Sequence, residues 1–181
     1  MYNNRIPSQH HWSNGTVSTI CQFCNIKYLD ILDIRDIPTL SKNIESIMNP
    51  IVKFIDKNCI NYYELGNYIF THSWLPIEYD NLLHKYSANL NSSSDLWKRA
   101  RWGNPFEMWE KGAYIPGKTV VCGHWHCSWG NAYLHNKYEE WPPKEDPDFL
   151  KAFEPFIDDG IIGIDACTAY SNKINVLIIE V

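Results

Sequence analysis

The spacing of apolar residues changes part-way along this sequence, and the change limits the folds that the chain can adopt. Across residues 39–58 apolar side chains recur every three or four positions, which predicts an amphipathic helix. The pattern is carried by Leu40, Ile44, Ile47, Met48, Ile51, Val52 and Ile55. Pro50 is expected to split or kink this helix, because proline has no backbone N–H to donate.

A shorter helix is predicted earlier, over residues 16–25. Asn14 or Thr16 is a suitable N-cap, since each side chain carries an oxygen that accepts a backbone N–H. Ile20, Phe23 and Cys24 are expected on one side of this helix.

Strand-like segments replace the helical spacing after residue 58. Residues 62–65 and 68–71 flank Gly66-Asn67, which predicts a tight hairpin. Three further strands are predicted at residues 119–122, 161–165 and 174–180. A hairpin signal at residues 168–172 separates the last two strands.

The connecting segments have their own signals. Residues 81–91 are polar and are predicted to be a surface connection, and short helices are predicted near residues 96–102 and 106–111. The loop that contains Trp141-Pro142-Pro143 and Asp146-Pro147 is not expected to form regular structure. Helices followed by strands predict a layered α/β or α+β fold.

Composition limits the classes of partner and compartment. The 181 residues are enough for one globular domain, 1–181, and the net charge of −5 without a basic patch argues against nucleic-acid or anionic-membrane partners. No apolar run predicts a membrane span or a signal peptide. The six cysteines are expected to be reduced thiols, and the expected compartment is the cytoplasm.

Three histidines follow the ends of predicted strands. His72 comes directly after residues 68–71, and His124 and His126 follow residues 119–122 and Gly123. In extended backbone, residues two apart face the same side, so His124 and His126 are expected to aim at one point. Neutral imidazole binds borderline divalent metals, so the pattern indicates a metal centre. The alternative is a surface or hydrogen-bonded histidine, above all for His72.

The same segments resemble the calcineurin-like metallophosphoesterases. Gly123-His124-Trp125-His126 resembles the G-H-x-H motif of that family, and residues 66–76 resemble its segment of the type G-x-Y-I-F-V-H-G-G-L. Residues 161–167 and 173–177 are similar to the closing strands of its serine/threonine protein phosphatase and dinucleoside tetraphosphatase branch. Residues 12–16 resemble the W-x-N-G-T stretch that follows the family's G-N-H motif. The resemblance is clearest over residues 65–181.

This resemblance implies a fold, a metal site and a reaction. The implied fold is a partial four-layer αββα metallophosphoesterase sandwich that lacks its N-terminal portion. The implied cofactors are two divalent ions (Mn, Fe or Zn), with His72 and His124 on one ion and His126 on the other. Arg101 resembles an arginine that contacts substrate phosphate. The alternative for Arg101 is a solvated helix arginine. The implied activity is hydrolysis of a phosphoprotein or nucleotide phosphoester.

Other motifs of the family do not occur in this sequence. Its first half carries D-x-H, G-D-x-x-D and G-N-H, which supply the bridging Asp, further metal ligands and the His that protonates the leaving group, and the chain contains none of them. The catalytic residues of this chain are therefore unknown. Because three imidazoles offset little of the charge of two dications, the chain alone is expected to be inactive or nearly so.

Two further functions are compatible with the residues. Cys21 and Cys24 form a C-x-x-C that, with Cys122, Cys127 and the two nearby histidines, permits a structural zinc module. Buried thiols in a helix are the alternative for this pair. A non-catalytic interaction domain is the other candidate, because unpaired sheet edges invite a partner chain. Asp165 is assigned a structural role, Glu139 and Glu140 are expected to be solvated loop charges, and His10, His11, His84 and His135 are given no role.

Overall fold

The computed structural model of this protein describes residues 16–25 and 37–180. It divides after Cys59 into two compact units. The single domain over residues 1–181 stays a prediction. The first unit contains the helices α1 (Thr16–Cys24) and α2 (Ile37–Asn58). No described helix is both long enough and apolar enough to cross a membrane.

Both helices of the first unit occupy the segments that the sequence predicts. In α1 the buried side chains are Val17, Ile20 and Cys21, at the i, i+3 and i+4 spacing of one helix face. Ile20 is buried and Cys24 is half-buried, as predicted, but Phe23, predicted on the same side, is 58% exposed. Thr16 is already helical, and Asn14 lies outside the described residues. Helix α2 is not split, because it continues through Pro50.

The second unit is built around one mixed five-stranded sheet. In chain order its strands are β1 (Tyr62–Leu65), β2 (Tyr68–Thr71), β5 (Thr119–Cys122), β6 (Phe156–Asp158) and β7 (Ile161–Gly163). Their order across the sheet is β1-β2-β5-β7-β6, with the central β2, β5 and β7 parallel and the two edge strands antiparallel. A separate hairpin pairs β3 (Ile77–Asp80) with β4 (Lys85–Ala88).

Helices connect the strands of this unit. They are α3 (Ser94–Ala100), α4 (Pro105–Glu110), α5 (Cys127–Tyr133), α6 (Phe149–Ala152) and α7 (Thr168–Ser171). Ser93 caps α3 through Leu96 N, and Asn104 caps α4 with Pro105 in its first turn. The two short helices predicted near residues 96–102 and 106–111 are therefore confirmed.

The two faces of the sheet differ in how fully their side chains are buried. Ile69, Val120, Ile161 and Phe156 point to one face and are completely buried in the main core, with Trp74, Trp97 and Phe106. The strand register places one residue of each strand in a row on the other face: Tyr63, Phe70, Val121, Ile162 and Ile157. At the two ends of this row Tyr63 is 55% exposed and Ile157 is 59% exposed.

Three sequence predictions about this unit are wrong. Residues 81–91 contain strand β4, which pairs with β3 although its side chains are mostly polar. The hairpin signal at 168–172 is helix α7, ended by Asn172 in the left-handed conformation. Residues 174–180 join no strand ladder of the described chain, and their exposed side chains Ile174, Val176 and Ile178 alternate with half-buried ones. An apolar alternating segment forms a strand only when a neighbouring strand is available.

Candidate functional site: a histidine pair at the end of two parallel strands

His72 and His124 lie at the same edge of the sheet. Strands β2 and β5 are parallel neighbours, so the residues after their carboxyl ends are adjacent. Gly123 N donates to His72 O at 3.1 Å, which continues the pairing one step beyond the strands. The Nε2 atom of His72 lies 3.1 Å from Nδ1 of His124. The structure thus brings together two of the three histidines that the sequence singles out.

His124 has a left-handed backbone with φ of 68°. Such a conformation is uncommon outside glycine, although histidine is among the residues that tolerate it. It turns the chain out of β5, so the extended backbone that predicted a common direction for His124 and His126 is absent. The Trp102 ring lies edge-on to the His124 ring at 5.4 Å. Burial, followed by the nearby His72, lowers the pKa of His124, while Asp165 opposes this shift.

His126 has different neighbours. Its Nδ1 lies 2.8 Å from Ser128 Oγ, and its Nε2 lies 3.4 Å from Glu140 Oε1. The Trp141 ring covers it at a centroid distance of 4.3 Å. Burial lowers the pKa of His126, and the charges of Glu140 and Asp165 act in the opposite direction. Both ring nitrogens are therefore occupied by polar partners, and a metal ion would have to displace one of them.

Glu140 corrects a prediction. The sequence places it among solvated loop charges, but its side chain is only 21% exposed and contacts His126. It also accepts a hydrogen bond of 2.9 Å from Tyr133 Oη. The loop that presents it is irregular, as its prolines predict, so sequence spacing gave no signal for this contact.

Asp165 lies between the two histidine environments. Its carboxylate accepts from Cys167 N at 2.8 Å, and its backbone oxygen accepts from Cys127 N at 2.7 Å. These contacts fit the structural role that the sequence suggests. Its charge also raises the pKa values of both His124 and His126 against the effect of burial. A signal was available, because Asp165 follows β7, the parallel neighbour of β5.

The two facing nitrogens of the histidine pair are close enough to contact one divalent cation. The two ions that the resemblance implies stay a prediction. Bonds from zinc to imidazole nitrogen are about 2.0–2.1 Å, so two nitrogens 3.1 Å apart can reach the same ion. Among the described residues, no group of three or more His, Cys, Asp or Glu is spaced to hold a metal ion. Two dications need carboxylates to offset their charge, and none is grouped with the pair. The ligand set His72, His124 and His126 stays a prediction.

Arg101 and His72 both line a small surface pocket with a volume of about 280 Å³. Arg101 Nη2 donates to Asn61 Oδ1 at 2.9 Å, and Asn61 O in turn accepts from the Thr71 hydroxyl at 3.4 Å. The guanidinium that the resemblance relates to substrate phosphate is thus held close to the histidine pair.

The cysteines do not form a metal group with these histidines in the described chain. Cys122 and Cys127 are buried, and burial raises the pKa of Cys122 and brings that of Cys127 to about 12. Without a metal, both are therefore thiols at neutral pH. Cys21 is a buried thiol in α1, as its alternative interpretation expects.

The remaining histidines differ in their surroundings. His84 is exposed on the β3–β4 hairpin, and His10 and His11 lie outside the described residues. His135, which has no predicted role, packs on Phe156 with ring centroids 4.3 Å apart, and its Nε2 lies 3.0 Å from Asp158 Oδ2.

Comparisons with family models, with curated proteins and with solved structures gave no match for this chain.

Proposed function

We propose that this chain carries the histidine half of a metal-dependent phosphoester hydrolase site, similar to that of serine/threonine phosphatases of the calcineurin-like group. The observation that carries the proposal is the 3.1 Å approach of His72 Nε2 to His124 Nδ1. They meet where the parallel strands β2 and β5 end, and ligands commonly bind at the carboxyl ends of parallel strands. Burial keeps His124 neutral, which is the form that binds metals.

The residues of the chain have separable roles in this proposal. His72 and His124 hold one divalent cation, and Arg101 binds a phosphoryl oxygen through its planar guanidinium. A bound cation polarises a phosphoryl oxygen and activates water. No carboxylate is grouped with the histidine pair in the described chain, so this polypeptide alone has little or no turnover. The cation and the guanidinium act on the phosphoryl group alone, so they do not distinguish a phosphoprotein from a nucleotide substrate.

The four-layer αββα sandwich is part of the same proposal. Helices cover one face of the five-stranded sheet, and the other face carries the apolar row with Val121 and Ile162 at its centre. Apolar residues on both faces of a sheet are typical of a sheet that lies between two layers.

Manganese binding tests the proposal. Titration of the chain with Mn²⁺, followed by the electron paramagnetic resonance signal of free Mn²⁺, should show one saturable ion per chain. His72→Asn and His124→Asn should each weaken it at least tenfold, which is about 1.4 kcal/mol. Asparagine is chosen because it tolerates the left-handed backbone of His124. His84→Asn is the matched control, since His84 is also left-handed with φ of 48°.

A phosphoesterase site also couples metal to phosphate. Inorganic phosphate should tighten Mn²⁺ binding, and Mn²⁺ should tighten phosphate binding by the same factor, about fivefold or more. Arg101→Gln should reduce this coupling. Loss of Mn²⁺ binding in His84→Asn but not in His124→Asn would contradict the proposal. Robust Mn²⁺-dependent hydrolysis of p-nitrophenyl phosphate would contradict the expected lack of turnover.

A non-catalytic interaction module is the second candidate. The exposure of Ile174, Val176 and Ile178, between 74% and 86%, favours it, because apolar residues at this spacing suit pairing with a partner strand. An interaction module predicts no coupling between Mn²⁺ and phosphate, so the titration above separates the two functions.

A further inference from the structure

The pocket beside His72 combines a cation with aromatic surface. Its volume is about 280 Å³, and Arg101, His72, Tyr63, Phe70 and Ile60 are among the residues that line it. Pockets for drug-sized ligands begin at about 300 Å³, so this one suits a small ligand. A small ligand that fills it would touch both its charged and its aromatic parts.

The guanidinium of Arg101 is held by a hydrogen bond but has no ion-pair partner among the described residues. One N–H of its guanidinium donates to Asn61 Oδ1. Among the described residues, no carboxylate lies within ion-pair distance of Arg101. The other N–H groups are therefore available to an anion, and the planar donor arrangement suits the paired oxygens of a phosphate or phosphonate.

The aromatic part is formed by paired residues of two strands. Tyr63 and Phe70 are directly opposite in the β1–β2 register, so their side chains lie on one face of the sheet. Their ring centroids are 6.2 Å apart. Tyr63 is 55% exposed and Ile60 is 70% exposed, so a ligand ring placed here removes apolar surface from water.

We propose that this pocket binds aryl phosphates, with the phosphate on Arg101 beside His72 and the aromatic ring against Tyr63 and Phe70. The proposal deepens the proposed function and rests on it for the role of the phosphate. The ring must be attached directly to the phosphate oxygen, since cation and rings share one small cavity. In a nucleotide a ribose lies between the phosphate and the base, so these two groups are further apart than the phosphate and the ring of an aryl phosphate. The group recognised is that of a phosphorylated tyrosine or phenol.

Binding of phosphonates to the metal-free chain tests the proposal. Calorimetry in the presence of EDTA would compare phenylphosphonate, methylphosphonate and adenosine monophosphate. Phenylphosphonate should bind about tenfold more tightly than methylphosphonate, a preference of about 1.4 kcal/mol. Tyr63→Ser should remove this preference. Because Tyr63 is exposed, the substitution should not disturb the fold.

Charge variants complete the test. Arg101→Gln should weaken binding of both phosphonates. Arg99→Gln, at an exposed arginine in the last turn of α3, should leave both unchanged. Equal affinity for the two phosphonates would overturn the aromatic assignment. Tighter binding of adenosine monophosphate than of phenylphosphonate, or no phosphonate binding, would also overturn the proposal. The assay contains no metal, so failure of Mn²⁺ binding at the histidine pair is scored separately from failure of this pocket.

Discussion

Replacing Gly163 by alanine should destabilise the second unit through one aromatic ring. A Cβ at Gly163 would lie 2.8 Å from Cε1 and 2.9 Å from Cζ of Phe106. Carbon atoms pack best at about 3.5–4.0 Å, so the ring would have to move by roughly 0.6–1.2 Å. Phe106 is completely buried, stacked on Trp129 at 5.8 Å and edge-on to Phe156 at 5.0 Å. The ring therefore has no free direction in which to move.

The expected cost follows from two opposing effects. Overpacking of a filled core costs about 1–3 kcal/mol. Loss of glycine from a strand returns about 0.5–1 kcal/mol, because the unfolded chain has less freedom. From the middle of both ranges the net destabilisation should be about 1.2 kcal/mol, which lowers the urea midpoint by roughly 0.6 M at a slope of about 2 kcal/mol per M.

Urea unfolding followed by tryptophan fluorescence measures this change. Gly103→Ala is the matched control, because the nearest atoms to its new Cβ would be 3.7 Å and 3.9 Å away, at ordinary contact distance. It should be neutral or slightly stabilising. A Gly163→Ala protein with the midpoint of the parent, or a Gly103→Ala protein with an equal loss, would refute the reasoning. Combination with Phe106→Leu should cost less than the two changes added together, since the smaller side chain leaves room for the methyl group.

Two further predictions concern acidity and the C-terminal segment. Because the pKa values of His124 and His126 in the folded chain lie below 6.5, the unfolded chain binds more protons as the pH falls through 6.5, and the urea midpoint should be lower at pH 5.5 than at pH 7.5. The prediction is contradicted if neither the parent nor the His126→Asn protein changes its urea midpoint between the two pH values. Val176→Lys should reduce light scattering on concentration without changing the midpoint, because Val176 is 78% exposed in an unpaired apolar segment. Asn91→Lys adds the same single charge at another exposed position and is the control, and equal scattering of both variants would contradict the prediction.

Local signals predicted much of the fold. The β1–β2 hairpin follows from Gly66-Asn67, where Gly66 adopts φ of 57° as a tight turn requires. The β3–β4 hairpin has no such signal, because Asp80 accepts hydrogen bonds from Leu82 N and Leu83 N in a turn without glycine. Its strands do alternate apolar and polar residues, Ile77-Glu78-Tyr79-Asp80 and Lys85-Tyr86-Ser87-Ala88. Half of these residues are exposed and none is buried, so the segment lacks the apolar character of a core strand.

Only part of the candidate site could be predicted from the sequence. The contact between His72 and His124 follows from two strands that end in histidine and lie side by side, which is a short inference from the sequence. The position of His126 depends on the left-handed turn at His124 and on Glu140, presented by an irregular loop. Neither a backbone dihedral at one histidine nor the path of a proline-rich loop is encoded in residue spacing. Arg101 required the tertiary contact with Asn61, which is far from it in sequence.

The strand order has a consequence for how the second unit acquires its structure. Phe70 pairs with Val121, and Val121 pairs with Ile162, so each central pairing closes a loop of about 40–50 residues. The β1–β2 hairpin can form within microseconds. The pairings of β2 with β5 and of β5 with β7 join distant segments and therefore form more slowly. During synthesis the apolar surfaces of Ile69 and Val120 precede the strand that completes their sheet. Slow translation at low temperature gives these distant partners time to meet, so the yield of folded chain should depend on the rate of synthesis.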